Sequence, residues 1–172
     1  MHSGHMDDTL LAAVSRYAER YADPAGVART PIASLTIVRA MSPSELQYAI
    51  SRPLACIVVQ GTKHVAMGAR SHNFGAGDSL LIAADVPTVS QVTRASRTTP
   101  YLSLVLDLDA SMISGLSAEI KAASADDMAP LRVERTDAEV ADAALRLVRL
   151  LERPSAVPVL QAQLVREMHY WL

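Results

Sequence analysis

His72 and Cys56 are the residues whose chemistry could support metal binding or catalysis. His72 follows Gly68 in a strand-like segment, but neither a second His nor a Glu follows it closely. A single imidazole binds a transition metal poorly without partner ligands. Cys56 is the only cysteine, and it lies in an apolar run with no adjacent His, which is typical of a buried, inert thiol. The sequence therefore predicts no catalytic residue, no metal site and no cofactor.

Nucleophile, phosphate-binding and DNA-binding motifs are also missing from the sequence. No serine lies in a G-x-S-x-G elbow, and residues 75–77 precede a strand-like run instead of a helix, which indicates a turn. The last two predicted helices are spaced like a helix-turn-helix, but residues 157–172 contain one Arg and no Lys. A recognition helix needs several basic or amide side chains. We therefore do not expect this chain to bind DNA by itself.

Length and composition limit the class of protein. The chain has 172 residues, a hydrophobic fraction of 50%, an aromatic fraction of 4% and a formal net charge of −2. These values fit one domain, or one domain with a helical appendage, with a core of mainly Ala, Val, Leu and Ile. No apolar run approaches the ~18 residues needed to span a bilayer, and no signal peptide opens the chain. We expect a cytoplasmic protein without membrane contact, and the single cysteine fits a reducing compartment.

The central segment, residues 54–107, predicts the fold class. Short apolar or alternating runs are separated by Gly, Pro, Asn and Asp clusters, a pattern typical of an antiparallel sandwich or small barrel. Earlier strands are expected near residues 35–38 and 46–50, and a small edge strand near 131–133. The central strands are predicted at residues 54–59, 63–67, 79–83, 88–94 and 101–106.

The turn at Gly68 and Ala69 fixes a hairpin register, because Gly in the first central position favours a tight turn with positive φ. In this register Val65 faces His72, and His64 shares the opposite face with Asn73. Val65 lies on the apolar side of the hairpin, so His72 is expected to face the interior with it. A core or rim histidine is favoured slightly over a ligand-contacting one.

Helices are predicted on both sides of the strands. Residues 1–6 are typical of a tag remnant, residues 7–24 form a helix starting at Asp7 and Asp8, and residues 26–31 form a linker. Residues 32–134 form the barrel, which includes a helix at 109–122 and a loop at 123–129. Residues 136–172 form a helical pair that starts with a capping box of Thr136 and Glu139. The last helix has no C-terminal stop signal, so we expect that the chain was cut from something longer.

Five segments of the sequence resemble a known family. They are V-V-Q-G-T-K at 58–63, G-A-R at 68–70, G-D-S-L-L at 77–81, V-P-T-V-S-Q-V at 86–92 and P-Y-L-S-L-V-L-D-L-D at 100–109. Their order and spacing are similar to the N-terminal domain of AraC-type bacterial transcription regulators. The resemblance covers residues 35–172 and extends into the Leu-rich last helix.

The resemblance implies a mainly β fold with helices, namely a cupin-like β-barrel (double-stranded β-helix). It implies binding of an unknown small-molecule effector, homodimer formation, or both, and DNA binding only through a C-terminal helix-turn-helix domain that is absent here. The alternative is a metal-dependent cupin-fold enzyme acting on a small metabolite. The usual cupin enzyme pattern of a His-x-His pair followed by Glu is missing after Gly68.

Two sets of candidate site residues follow from these expectations. Polar side chains in apolar strands must find hydrogen-bond partners when buried, and an effector could be one partner. Alternatively, Gln60 and Gly61 form a strand-end turn and Tyr101 anchors its strand. The apolar stripe of the last helix either docks on the barrel of its own chain or forms a dimer seam. The effector candidates are Gln60, His72, Gln91 and Tyr101, and the dimer candidates are Leu160, Leu164, Met168 and Trp171.

Overall fold

The computed structural model describes residues 9–120 and 129–172. The predicted tag remnant, the predicted helix start at Asp7 and Asp8, and nearly all of the loop predicted at 123–129 lie outside the described residues. The elements follow the chain as α1 (Leu10–Tyr21), β1 (Val27–Arg29), β2 (Leu35–Ala40), β3 (Gln47–Ser51), β4 (Leu54–Gln60), β5 (Thr62–Met67), β6 (Arg70–Gly75), β7 (Asp78–Ile82), β8 (Val86–Arg94), β9 (Tyr101–Asp107), α2 (Ala110–Ile120), β10 (Leu131–Arg135), α3 (Ala138–Leu150) and α4 (Val157–Trp171).

The strands of the described residues form two antiparallel sheets. The larger sheet has six strands in the order β1-β2-β9-β4-β7-β10, and the smaller has four in the order β3-β8-β5-β6. Val65 and Phe74 of the smaller sheet share a buried cluster with Cys56 and Tyr101 of the larger sheet, so the two sheets face each other. The sheets do not close into a continuous barrel, but the predicted mainly β, cupin-like fold is confirmed.

The six-stranded sheet is buried on both faces. Along β9, Tyr101 points into the cluster between the sheets, whereas Leu102, Leu104 and Leu106 belong to a second cluster with the helices. Successive side chains of a strand point to opposite faces, so a single strand supplies both cores. The second cluster contains residues of α1, α3 and α4, including Val14, Leu147, Val165 and Met168.

The predicted hairpin register is confirmed. Val65 pairs with His72 and His64 pairs with Asn73 between β5 and β6. Gly68 has a φ of 58°, a backbone conformation that L side chains rarely adopt. The Nδ1 atom of His64 lies 2.7 Å from Oδ1 of Asn73 on the outer face of the smaller sheet. The local pattern was sufficient here because both strands and their turn are contiguous in sequence.

Two local predictions were wrong. Strand β1, Val27–Arg29, lies inside the predicted linker and pairs with β2 as an edge strand. The capping box is also absent, because Asp137 caps α3 by accepting a hydrogen bond of 2.8 Å from the backbone N–H of Glu139. Thr136 instead forms a 2.6 Å hydroxyl contact with Ser79 of β7. The Thr136 side chain therefore connects the larger sheet to the segment that leads into α3.

Gly61 joins the two sheets at the turn between β4 and β5, and we expect Gly61→Ala to destabilise the fold. Its φ is 83°, and an added Cβ would lie 2.7 Å from the carbonyl oxygen of Arg94 and 2.9 Å from Cα of Tyr101. Backbone strain and overlap together should lower the free energy of unfolding by about 3 kcal/mol.

Gly68→Ala is the matched control for this change. Gly68 also has positive φ, but no atom lies within 4 Å of its added Cβ. Backbone strain alone should cost about 1–2 kcal/mol. Urea unfolding of both variants measures the difference, and equal losses of stability would contradict the close approach at Gly61.

Candidate functional site

Tyr101 is fully buried between the two sheets. Its hydroxyl lies 3.8 Å from Sγ of Cys56, and Val58 and Phe74 belong to the same buried cluster. Burial raises the pKa of Tyr101 well above its ordinary value, the neighbouring Cys56 raises it further, and a hydrogen bond with Ser103 acts in the opposite direction. The ring therefore lies in the interior and packs β9 against the cluster between the sheets.

His72 faces the space between the sheets, as its register predicted. It pairs with Val65, which is buried in the inner cluster, and its own side chain is half-buried. Among the described residues, no three His, Cys, Asp or Glu side chains lie close enough together to hold a metal ion. His72 therefore has the position of a rim histidine on the inner face.

Gln91 lies on the opposite face of the smaller sheet. It pairs with His64, whose ring contacts Asn73 on the outer face. The Nε2 atom of Gln91 donates a hydrogen bond of 2.9 Å to the carbonyl oxygen of Ser44. The backbone N–H of Val92 donates to the hydroxyl of the same serine at 2.9 Å. Gln91 thus ties the segment between β2 and β3 to β8.

Gln60 lies at a β-bulge near the end of β4. The register between β4 and β9 shifts after Val58, so that Gln60 pairs with Leu102 on the helix-facing side. Its Nε2 atom donates a hydrogen bond of 2.8 Å to the carbonyl oxygen of Pro100. The side chain lines a surface groove of about 420 Å³ beside α1, which Arg39 and Arg97 also line. The structure therefore does not bring the four effector candidates together.

The four dimer candidates on α4 have different surroundings. Met168 is fully buried in the core of its own chain, and Leu164 packs partly against the same core. Leu160 and Trp171 are 39% and 37% exposed. The buried face of α4 is centred on Val157, Val165, Met168 and His169, and is therefore rotated from the predicted stripe. Leu160 and Trp171 remain on the surface of the described chain.

His169 is a structural residue that the sequence reasoning did not single out. Its Nδ1 donates a hydrogen bond of 2.8 Å to the carbonyl oxygen of Val165, and its Nε2 accepts one of 3.0 Å from the backbone N–H of Asp109. The carbonyl can only accept and the N–H can only donate, so this pairing requires a neutral imidazole. Asp109 caps α2 by accepting from the N–H of Met112 at 3.1 Å. The useful sequence signal was a His four residues after Val165 on an apolar helix face.

An ion pair joins α3 to α4 at the surface. Both terminal nitrogens of Arg146 donate to the carboxylate of Glu167, at 2.6 and 2.5 Å. The hydrogen bond with Arg146 holds the pKa of Glu167 below its ordinary value, and the same bond raises the pKa of Arg146. Nε1 of Trp171 donates to Glu167 at 3.2 Å. This pair positions the indole ring on the outer side of α4.

Comparisons with known proteins agree with the fold. Apo ToxT from Vibrio cholerae strain SCE256 is similar with a TM-score of 0.54 and 7% identity, over 77% of this chain and 53% of that chain. The AraC-like transcriptional activator CuxR is similar with a TM-score of 0.50 and 14% identity, over 81% of this chain and 50% of that chain. The chain thus spans about half the length of these structures. No curated protein sequence matches it.

The fold defines the class of protein, which is a two-sheet, cupin-like domain with helices packed on one sheet. Residues 31–172 match the family described as the AraC-type transcriptional regulator N-terminus. The chain belongs to this family, which confirms the resemblance found in the sequence. None of the helices in the described part of the chain has the length and apolar character that crossing a membrane requires.

Burial of Tyr101 predicts a loss of stability at alkaline pH. The unfolded chain loses the phenolic proton near its ordinary pKa of about 10, whereas the native state keeps it to higher pH because the native pKa is raised. Stability from this group is thus complete below about pH 10 and falls above it, by up to about 1.4 kcal/mol per pH unit.

Urea unfolding between about pH 9 and 11 tests this dependence. Tyr101→Phe should flatten the fall in stability, since it removes the titrating group. The control is Tyr48→Phe, because Tyr48 is 76% exposed. Parallel pH curves for the wild-type chain and Tyr101→Phe would contradict the prediction.

Proposed function

We propose that this chain is the regulatory domain of an AraC-family transcription regulator that binds a small-molecule effector and forms a homodimer. A C-terminal helix-turn-helix domain outside this chain would then control transcription in the bacterial cytoplasm. Membership of the family supports this proposal.

The observation that carries the proposal is that the six-stranded sheet is shared by the two cores, one on each of its faces. On one face Tyr101 and Ser103 of β9 point between the sheets, and on the other Leu102 and Leu104 contact the helical core. Met168 of α4 belongs to that same helical core. A molecule that changes the sheet would therefore also act on the last helix, which is the element nearest to any following domain.

The outer side of α4 supports the dimer part of the proposal. Leu160 and Trp171 are partly exposed, and Trp171 is held by Glu167. Tryptophan and arginine are enriched at the centres of protein interfaces. Met168 docks on its own chain, so docking and dimer formation use different sides of the same helix.

The enzyme alternative receives less support. The family is one of transcription regulators, and the described His, Cys, Asp and Glu side chains form no cluster of metal-ligand type. His72 and Cys56 lie on different sheets, on β6 and β4. A regulatory role accounts for the fold with fewer assumptions.

Effector binding is tested by thermal unfolding of the purified chain against a panel of small metabolites. A ligand that binds only the native state must raise the Tm by mass action, and about a hundredfold excess over Kd adds about 2.7 kcal/mol. We expect at least one compound to raise the Tm in a dose-dependent way. No response across a broad panel would favour a domain that only dimerises.

Leu160→Asp tests the proposed dimer. A buried charge at the seam should weaken association at least about 100-fold, while the fold stays intact because Leu160 is 39% exposed. Leu164→Asp is a less selective change, since Leu164 also packs against its own core. Sedimentation velocity should therefore show Leu160→Asp as a monomer.

Ala162→Asp is the matched control on α4, because it adds the same charge at an exposed position of the same helix. Two residues along an α-helix are separated by about 200° around its axis, so Ala162 lies on a different side from Leu160. This variant should sediment like the wild-type chain, and far-UV circular dichroism should show equal helix content in both variants. A dimer that is unchanged in the Leu160→Asp variant would contradict the proposal that this side of α4 forms the dimer seam.

A further inference from the structure

Strand β3 is an open edge of the smaller sheet. It pairs with β8 on one side, and no other described strand pairs with it on the other side. Its first four residues, Gln47 to Ile50, are exposed. The outer side of an edge strand carries unpaired backbone N–H and C=O groups, which can form a ladder with a further strand.

The sequence of β3 lacks the features that usually protect an open edge. Proteins place charged side chains, prolines or bulges on such strands to prevent pairing with another chain. The other three edges of the described sheets, β1, β6 and β10, carry Arg29, Arg70 and Glu134 respectively. Strand β3 has neither a charged residue nor a proline, and it pairs with β8 in unbroken register. It is therefore the edge of this molecule that is best suited to pairing with another strand.

The outer face of β3 is apolar as well as exposed. Tyr48 and Ile50 are 76% and 75% exposed, and they share a face because side chains alternate along a strand. They pair with Val89 and Pro87 of β8, and all four residues line a surface groove of about 520 Å³. Contiguous exposed apolar surface of this kind marks interaction sites. A strand that pairs with β3 should thus present apolar side chains to the same face.

A second copy of β3 meets this requirement. Antiparallel pairing about a two-fold axis at Ala49 places Tyr48 of one copy opposite Ile50 of the other. Pairs of an aromatic and a β-branched residue stabilise antiparallel sheets. The same register places Gln47 opposite Ser51 on the other face, so polar residues also face each other. All five residues of β3 find a partner in this arrangement.

The charges that flank β3 favour the antiparallel direction. Glu45 precedes the strand and Arg52 follows it, and both residues are exposed. Antiparallel pairing brings Arg52 of each copy beside Glu45 of the other copy, at both ends of the ladder. Parallel pairing in register would instead place like charges together, which is unfavourable. The charges therefore select both the orientation and a partner with the same sequence.

We propose that two copies of this chain pair antiparallel through β3, which joins their smaller sheets into one continuous sheet. This contact goes beyond the proposed function and depends neither on an effector nor on the α4 seam. Helix α4 packs on the six-stranded sheet, whereas β3 belongs to the other sheet. The two contacts can thus exist together, and the β3 contact would then join α4 dimers into larger assemblies.

The β3 contact should be weak, because one short strand from each copy buries less than the ~1,200 Å² that is typical of stable interfaces. We expect it at protein concentrations on the order of 100 µM and above. Sedimentation equilibrium of the Leu160→Asp chain over this range isolates it from the α4 seam. This chain should be monomeric when dilute and should associate reversibly as its concentration rises.

Ile50→Lys, made in the Leu160→Asp chain, tests the strand. The variant adds a charge to the unprotected edge and should weaken association at least about tenfold. Ser71→Lys is the matched control, because it adds the same charge at an exposed position of β6, the other edge strand of the same sheet. It should associate like the Leu160→Asp chain. Both added lysines lie at exposed positions, and far-UV circular dichroism should show that both variants keep the fold.

Charge reversal tests the antiparallel orientation. Arg52→Glu should weaken association because it places like charges together at both ends of the ladder. Adding Glu45→Arg to this variant exchanges the two charges and should restore association.

Cross-linking tests the register. The two copies of Ala49 would lie opposite each other, with their Cα atoms about 4.5–5.5 Å apart, which is within reach of a disulfide. Ala49→Cys should therefore form a covalent dimer under a mild oxidant, whereas Ser71→Cys should not. The natural thiol of Cys56 is buried, and the wild-type chain measures its background.

Three results would overturn the inference. They are a Leu160→Asp chain that remains monomeric up to about 1 mM, equal weakening by Ile50→Lys and Ser71→Lys, and a charge exchange that fails to restore association. None of these results bears on effector binding, which is measured by the Tm, or on the α4 seam, which is measured in dilute protein. Failure of this inference is thus distinguishable from failure of the proposed function.

Discussion

The structure depends on burying both faces of the six-stranded sheet. A strand that is covered on both sides must be apolar at nearly every position, because it cannot expose alternate side chains to water. Strand β9 meets this constraint with a polar tyrosine and serine on the inner face only, at Tyr101 and Ser103, both of which are buried. The smaller sheet has an exposed outer face, and its hairpin alternates accordingly. The cluster between the sheets and the helical core are therefore separated only by the backbone of the six-stranded sheet.

Much of this architecture could be predicted because it is encoded locally. Apolar runs bounded by Gly and Pro gave the strands from 54 to 107, and the turn at Gly68 gave the hairpin register, which needs no distant contact. Strand β1 could not be found in this way, since three residues carry no periodicity and become a strand only by pairing with β2. The cap of α3 was missed for a related reason, because Thr136 is held by Ser79 from a distant strand.

The four effector candidates do not share one face of the structure. The face on which a side chain lies depends on the register between strands, and these strands are far apart in sequence. Without a bulge, continued pairing from Val58 would place Gln60 opposite Tyr101 on the inner face. The extra residue in β4 instead places Gln60 opposite Leu102 on the helix-facing side. A bulge puts two residues opposite one and thereby reverses which side chains share a face. No feature of the β4 sequence alone indicates where that extra residue falls.

The hydrogen bonds of the polar side chains affect where an effector could be recognised. Among the described residues, no buried side-chain nitrogen or oxygen lacks a hydrogen-bond partner. Tyr101 contacts Cys56 inside the sheets, and Gln91 and Gln60 donate to backbone carbonyls. A polar ligand that contacted any of these side chains would have to break such a bond, at a cost of roughly 1–3 kcal/mol for each group left unpaired.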